Sequence, residues 1–393
     1  MTGTPLKIAV IAGEVSGDLL GGDLVEALRR RLPNGVSLVG VGGESLHRQG
    51  LQSLFDYSEL SIMGLTQVLA RLPSLVRRIR QTADAIVAEK PDVLIIIDSP
   101  DFTHRVARKV RRKLPDLPIV NYVCPSVWAW KEERARQMVP YVDHVLAVLP
   151  FEPEVMARLG GPPTTYVGHR LSADDRVQAI RRQQLAKEVL QDPAQTTCLL
   201  LPGSRSTEIV RLMPLFAETV QMLATRNPGM RFLLPTVSTQ EALVRELTAD
   251  WAIKPVITAT VADKWKAFSE ADVALAASGT VILELALAGV PAISCYKVDW
   301  LVKLMAKRIK TWTAALPNLI ADYVIVPEYL NEAIRPAALA RAIERFSCDT
   351  LQRRAVMEGY ALVHRRMQTE MPPGEHAAAI VLELLTKKKP GHF

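Results

Sequence analysis

The sequence predicts an α/β protein of two doubly wound, Rossmann-like domains in tandem, and two observations carry that prediction. Short apolar runs without internal polar alternation recur along the chain, and longer amphipathic segments separate many of them. Strands of that kind, each joined to the next by a helix, build parallel sheets covered on both faces. The second observation is size: 393 residues exceed what one core usually organises, so two are expected.

In the first half, strands are expected at 7–12 ("KIAVIA"), 37–42, 93–98 ("VLIIID"), 118–123, 144–149 and 164–168. In the second they fall at 198–203, 231–235, 256–259, 273–278 and 291–296. Helical patterns such as 22–31, 102–114 and 212–224 separate many of them. The apolar stretch 273–296 has the length of a membrane span, yet "ASGT" punctuates it, Glu284 interrupts it and Gly289-Val290-Pro291 ends its helical part. Strand, loop, helix and strand inside an α/β domain describe it better. The charged segment 174–191 marks the boundary, giving domains at 1–172 and 173–345 with a helical segment, 346–393, that has no strand to follow. In such a pair, ligands are expected in a deep cleft between the domains, against the carboxyl ends of the strands.

Composition narrows the partners. A net charge of +7 suits phosphate groups, nucleic acid or an anionic lipid surface. Aromatic residues are few and not interleaved with Arg and Lys along strands, which argues against base stacking and single-stranded nucleic acid, and no nucleic-acid partner is expected. Cys124, Cys198, Cys295 and Cys348 lie far apart, so they are expected to be core thiols in a reducing compartment, with no metal and no disulfide. No secretory signal is read at the start of the sequence.

Three loops following strands carry candidate chemistry. "AGEVSGD" (12–18) has the glycines and serine of a phosphate cradle, but Glu14 and Asp18 repel an anion. Recognition of a sugar hydroxyl by Glu14 and Ser16 stands beside a plain strand-to-helix turn capped by Ser16 or Asp18. "LPGSRSTEI" (201–209) offers Gly203, Ser204 and Arg205, a guanidinium placed to grip phosphate oxygens, unless Arg205 is only a surface residue beside a Ser206 or Thr207 cap. "AASGTVILE" (276–284) repeats the pattern with Ser278, Gly279 and Thr280, and puts Glu284 one turn further on the same helix face. Glu284 suits ribose hydroxyls or, more simply, the positive end of its helix. Two anion loops in the second half and an acid-bearing loop in the first suggest a nucleoside diphosphate opposite an acceptor and its base. No D-x-D metal motif is present in a strand loop, so no metal and no other cofactor is expected.

In order and spacing, "GEVSGD" (13–18), "IMGL" (62–65), "DSPDF" (98–102), "PSVWAWK" (125–131), "VGH" (167–169), "LPGSR" (201–205), "ASGT" with Glu284, "LPN" (316–318) and "VPEYL" (326–330) resemble the lipid-A-disaccharide synthase family. The resemblance implies a GT-B type glycosyltransferase that moves 2,3-diacylglucosamine from its UDP derivative to 2,3-diacylglucosamine 1-phosphate. It implies a β-1,6 link, a metal-independent reaction, peripheral attachment to the cytoplasmic face of a Gram-negative inner membrane, and a homodimer with exchanged C-terminal helices. Those helices then pack back on the N-terminal domain or on its partner. Carried over by position, Asp98 is the candidate base and Glu14 a weaker catalytic candidate. Arg205 becomes a diphosphate contact, Asn318 and Glu284 nucleotide-site residues, and Ser16 and Trp128 candidates for recognising acceptor or sugar. Thr103, Arg170 and Asn331 depart from the family pattern. Asp101, after Pro100, is expected to cap the helix that follows and to offset its basic residues.

Acylated substrates require a membrane surface. Met63, Leu65, Leu69, Leu72 and Val76 alternate with arginines, and Trp300, Leu304 and Trp312 with lysines, as in interfacial amphipathic segments. Ordinary packing helices give the same pattern. The rival readings are another GT-B enzyme, a murein glycosyltransferase or a UDP-N-acetylglucosamine 2-epimerase, and a peripheral membrane scaffold without catalysis.

Overall fold

The computed structural model describes residues 4–60, 65–297 and 310–388. The chain forms two compact units: Met1–Arg170 with Thr369–Phe393, and Leu171–Gln368.

Unit 1 holds β1 (Leu6–Ala12), β2 (Val36–Val41), β3 (Val93–Ile97), β4 (Ile119–Tyr122), β5 (His144–Ala147) and β6 (Thr164–Tyr166) in one parallel sheet ordered β2-β1-β3-β4-β5-β6. Its helices are α1 (Val15–Arg31), α2 (Glu44–Arg48), α3 (Leu65–Glu89), α4 (Pro100–Lys113), α5 (Glu133–Met138) and α6 (Glu152–Arg158). The unbroken apolar strands follow from burial on both faces: Ile8, Val10, Ile95 and Ile97 enter one core with Leu24 and Leu28 of α1, while Ile11, Leu94 and Ile96 enter the other with Ile86, Val106 and Val110. Each such side chain contributes about 1.5–3 kcal/mol by leaving water.

Unit 2 orders β12 (Glu328–Leu330), β11 (Ala292–Tyr296), β10 (Val273–Ala277), β7 (Thr197–Leu201), β8 (Arg231–Pro235) and β9 (Val256–Thr258) side by side, all parallel. Helices α7 (Asp175–Ala186), α8 (Ser206–Arg226), α9 (Glu241–Leu247), α10 (Val261–Glu270), α11 (Thr280–Ala288), α12 (Leu316–Ala321), α13 (Pro336–Ser347) and α14 (Leu351–Met367) belong to this unit. The apolar stretch 273–296 is β10, α11 and β11, and among the described residues no helix is long and apolar enough to cross a membrane.

The helical segment after residue 336 divides between the units. α13 and α14 stay in unit 2, whereas α15 (Pro373–Lys388) lies in unit 1 against α1. Ala377, Val381 and Leu385 bury there, and Glu375 pairs with Arg30 at 2.8 Å and Arg31 at 2.9 Å. Gly374 is needed at this contact, because a β-carbon there would lie 2.9 Å from the Asp23 carbonyl oxygen.

In both sheets the strand order reverses at one place: between β1 and β3 in unit 1, and between β7 and β10 in unit 2. At such switch points the flanking helices diverge to opposite faces and leave a crevice at the carboxyl ends of the strands. The loops 12–18 and 98–99 meet at the first, and 201–205 and 277–280 at the second.

Candidate active site

In unit 1 the two loops of the switch point fit closely. A β-carbon on Gly13 would lie 2.2 Å from Ser99 Oγ, and one on Gly17 would lie 3.4 Å from Asp98 Cβ. These glycines therefore let α1 approach the end of β3, and a phosphate cradle is not required to explain them. Asp98 and Ser99 both hold left-handed backbone, with φ of +55° and +44°, and Val123, just past the adjacent strand β4, has φ of +76°. Such conformations cost about 1–3 kcal/mol each and collect at functional sites. The Asp98 carboxylate stays partly exposed, accepting from Ser99 N–H at 2.9 Å on Oδ1 and from Ser16 Oγ at 3.4 Å on Oδ2. Thr103 is buried and donates its hydroxyl to the Asp98 carbonyl at 2.8 Å and the Ser99 carbonyl at 3.1 Å, bracing the strained turn.

The neighbouring carboxylates have other work. Asp18, buried in α1, accepts from the backbone N–H groups of Gly43, Ser45 and Leu46 at 2.7, 2.7 and 3.2 Å, so it closes the start of α2 and does not cap its own helix. Glu14 holds the N-cap position of α1 without a side-chain capping bond and is exposed. Asp101 does not cap α4 as expected: Ser99 holds the cap position, and Asp101 sits in the first turn, exposed, 3.3 Å from Arg134. Trp128 donates its indole N–H to Glu152 at 3.4 Å and stacks edge-on against Phe151 at 5.6 Å. Burial pushes the Glu152 carboxyl up to about 8, although Val148 and Leu149 N–H and the Trp128 indole all favour its ionised form.

In unit 2 the ends of β7, β8 and β10 and the starts of α8, α10 and α11 surround a cavity of about 360 Å³. Gly203, Ser204, Arg205, Ser278, Gly279, Thr280 and Glu284 line it together, bringing the two expected anion loops into one site. Neither the N-cap residue of α8, Arg205, nor that of α11, Gly279, makes a side-chain capping bond. Arg205 is exposed and pairs with Glu208 at 2.8 Å. Gly203, at φ +113°, sits where a β-carbon would strike Glu208 Oε2 at 2.6 Å. Lys264 of α10 and Thr236 after β8 complete the wall; neither was visible in the sequence, where no motif marks them. Thr236 Oγ1 and Glu284 Oε2 are buried without a hydrogen-bond partner among the described residues. Lys264 Nζ lies 2.6 Å from Glu284 Oε2, an ionic contact that does not meet hydrogen-bond geometry. Two cations and two helix starts suit an anion, while Glu208 and Glu284, paired with those cations, keep the wall near charge balance and offer acceptors to hydroxyl groups.

Asn318 is fully buried, and its amide donates to Thr313 Oγ1 and the Val326 carbonyl while its oxygen accepts from Ile325 and Val326 N–H. Every hydrogen-bonding site of the side chain is occupied, so Asn318 holds the 313–326 turn together, and it is not among the residues lining the cavity. Arg170 pairs with Asp23 at 3.0 Å. Met63, Trp300 and Leu304 lie outside the described residues, as do the side chains of Leu65, Leu69 and Leu72; Val76 and Trp312 are exposed.

Residues 8–372 match the family model described as lipid-A-disaccharide synthetase. The chain is 47% identical to the lipid-A-disaccharide synthase of Nitrobacter winogradskyi, covering 98% of this chain and 96% of that one. It is 46% identical to that of Rhodopseudomonas palustris strain HaA2, with 98% of each covered, and 40% identical to that of Rhodospirillum centenum, with 98% and 96% covered. Among solved structures, the Staphylococcus aureus MnaA–UDP co-structure matches with a TM-score of 0.60 at 15% identity, over 97% of this chain and 96% of that one. Acinetobacter baumannii MurG matches at 0.56 and 13%, over 98% and 100%. At such identities these likenesses show the fold alone, and it is the GT-B type.

Proposed function

The chain belongs to the lipid-A-disaccharide synthetase family, and from that premise we propose that Asp98 is the base and the unit 2 cavity the UDP site of its reaction. The enzyme is a glycosyltransferase of lipid A biosynthesis, with a UDP-sugar donor and a lipid acceptor. In this reading the donor is UDP-2,3-diacylglucosamine and the acceptor 2,3-diacylglucosamine 1-phosphate. The acceptor 6-hydroxyl donates its hydrogen bond to Asp98, loses its proton there, and attacks the anomeric carbon from the side opposite UDP, giving the β-1,6 link. Negative charge moves to the departing diphosphate. Arg205 and the N–H groups at the starts of α8 and α11 meet that charge and gain strength as the bond breaks. Ser16 orients the Asp98 carboxylate, Glu14 and Trp128 contact sugar, and the Glu284 carboxylate accepts from ribose hydroxyls.

One observation carries the assignment most strongly: the cavity that joins Arg205 to both uncapped helix ends also holds two buried polar atoms, Thr236 Oγ1 and Glu284 Oε2, without a hydrogen-bond partner among the described residues. The epimerase and scaffold readings are not favoured by family membership. The attachment to an anionic bilayer at the cytoplasmic face, and a homodimer in which α15 seats on the partner's α1, belong to the same reading. Incubating the chain with both acylated glucosamine substrates, followed by mass analysis, tests it: a disaccharide monophosphate and UDP are expected. Asp98→Asn is expected to lower turnover at least ~10³-fold, in line with loss of general-base catalysis and misorientation of the acceptor, while UDP binding stays within twofold, an estimate of about 0.4 kcal/mol at most. Turnover within tenfold of the unaltered enzyme, roughly 1.4 kcal/mol, removes Asp98 from the role.

A further inference from the structure

Lys264 stands four residues into α10, near the helix end whose dipole disfavours a cation. Its ammonium lies over the Trp265 ring at 4.6 Å and the Phe268 ring at 5.6 Å, and it meets Glu284 Oε2 at 2.6 Å. Glu284 in turn interrupts a helix that is otherwise apolar and small, "TVILELALA". Neither helix gains from these charges by itself. Each charge is explained by the other only in part, because the carboxylate oxygen facing Lys264 has no hydrogen bond of good geometry among the described residues. A half-buried pair with a structural task alone normally completes its hydrogen bonds, since leaving them unmade forfeits most of the gain from pairing. On the other side of the cavity, Arg205 is likewise held by a carboxylate, Glu208. Both cations thus face the cavity while resting on acids of its own wall.

We propose that Lys264 is a further nucleotide-binding residue of this cavity, exchanging Glu284 for an oxyanion of the bound nucleoside diphosphate and so releasing Glu284 to the ribose hydroxyls. The inference rests on the cavity being the UDP site. Exchange suits the geometry: an ammonium on a four-carbon stem turns from one oxygen to another without backbone movement. It also keeps the empty cavity near charge balance, so that no bare cation is buried before the ligand arrives. When the glycosidic bond to phosphate breaks, the added charge on the leaving oxygen meets Lys264 as well as Arg205.

Calorimetric titration of the full chain with UDP and, separately, with uridine tests this. Lys264→Gln is expected to weaken UDP binding about tenfold or more, the scale of one charge-assisted hydrogen bond, and uridine less than about twofold. Lys264→Arg should recover part of the UDP affinity, because charge is kept. Glu284→Gln should weaken both ligands by a similar factor. Near-UV circular dichroism and thermal midpoint establish that each variant is folded. Unchanged UDP affinity in Lys264→Gln overturns the inference; so does equal loss of UDP and uridine, which makes Lys264 only a support for Glu284. Failure of the parent reading looks different: the unaltered chain itself then binds no UDP, and both ideas fall together.

Discussion

At Asp98 the backbone aims the side chain. Asp98 and Ser99, consecutive left-handed residues, form the turn after β3, and the N–H of Ser99 holds one oxygen of the Asp98 carboxylate. The strain at this turn must be held by something, and Thr103 is that brace. The family resemblance left its role open, because asparagine is usual at this position; here the hydroxyl reaches both strained carbonyls from one turn along α4. Thr103→Val keeps the shape and removes both bonds. A stability loss of about 1–2 kcal/mol is expected in urea unfolding, together with a fall in kcat at nearly constant UDP affinity. Unchanged kcat would show that the turn holds itself. Asp98 and Asp101 thereby separate: Asp98 sits in the braced turn and is the base in the proposed function, whereas Asp101 is an exposed partner of Arg134.

Glu152 links one element to the next, and its chemistry shows at that scale. It starts α6, accepts from the preceding turn, and holds the 125–131 loop through Trp128. Its folded carboxyl is raised to about 8 by burial. A raised acid binds its proton more tightly in the folded chain, so its contribution to stability is full below about pH 4.5 and is lost as pH rises to about 8. Glu152→Gln should therefore flatten the decline of thermal midpoint between pH 5 and 8; an unchanged decline excludes Glu152 as its source. Elements were largely legible in the sequence: the apolar runs of β1, β3, β7 and β10 announced themselves through burial on two faces. Two were not. β12 is a three-residue edge strand with no apolar run to mark it, and the start of α1 was hidden by glycines that read as loop. Gly21 is there because a β-carbon would lie 3.0 Å from Ile97 and 3.1 Å from Leu46, a packing demand that no periodicity reveals. The same blindness explains Lys264 and Thr236, which reach the cavity from helix α10 and from the end of β8, distant in sequence from the two loops, and Asn318, whose motif gave no sign that its amide was fully bonded internally.

For the whole molecule, charge is the property that points beyond the two substrates. The excess of +7 is not spread evenly. On unit 1, α3 and α4 pack side by side, and Arg77 and Arg80 are exposed on the first, with Arg105, Arg108, Lys109 and Arg112 on the second. The last four recur at i, i+3, i+4 and i+7, a repulsive arrangement for an isolated helix. Val76 is exposed beside them. Arg78, expected in the same stripe, instead faces inward, bonded to Glu59 at 2.6 Å and set over the Phe55 ring at 4.6 Å. Its loss from the surface is outweighed by α4, which the hydropathy of 61–80 did not indicate. A cluster of this kind attracts an anionic bilayer with about 1 kcal/mol per cation close to the surface, falling off within a Debye length. Flotation with vesicles of phosphatidylcholine containing phosphatidylglycerol should therefore recover the chain at low salt, and progressively less as salt rises. Replacing Arg105, Lys109 and Arg112 by glutamine should weaken that recovery while leaving UDP binding unaltered, since none of the three lines the cavity. Equal recovery on neutral vesicles would assign the attachment to apolar insertion, and no recovery on either would remove the bilayer from the proposed function.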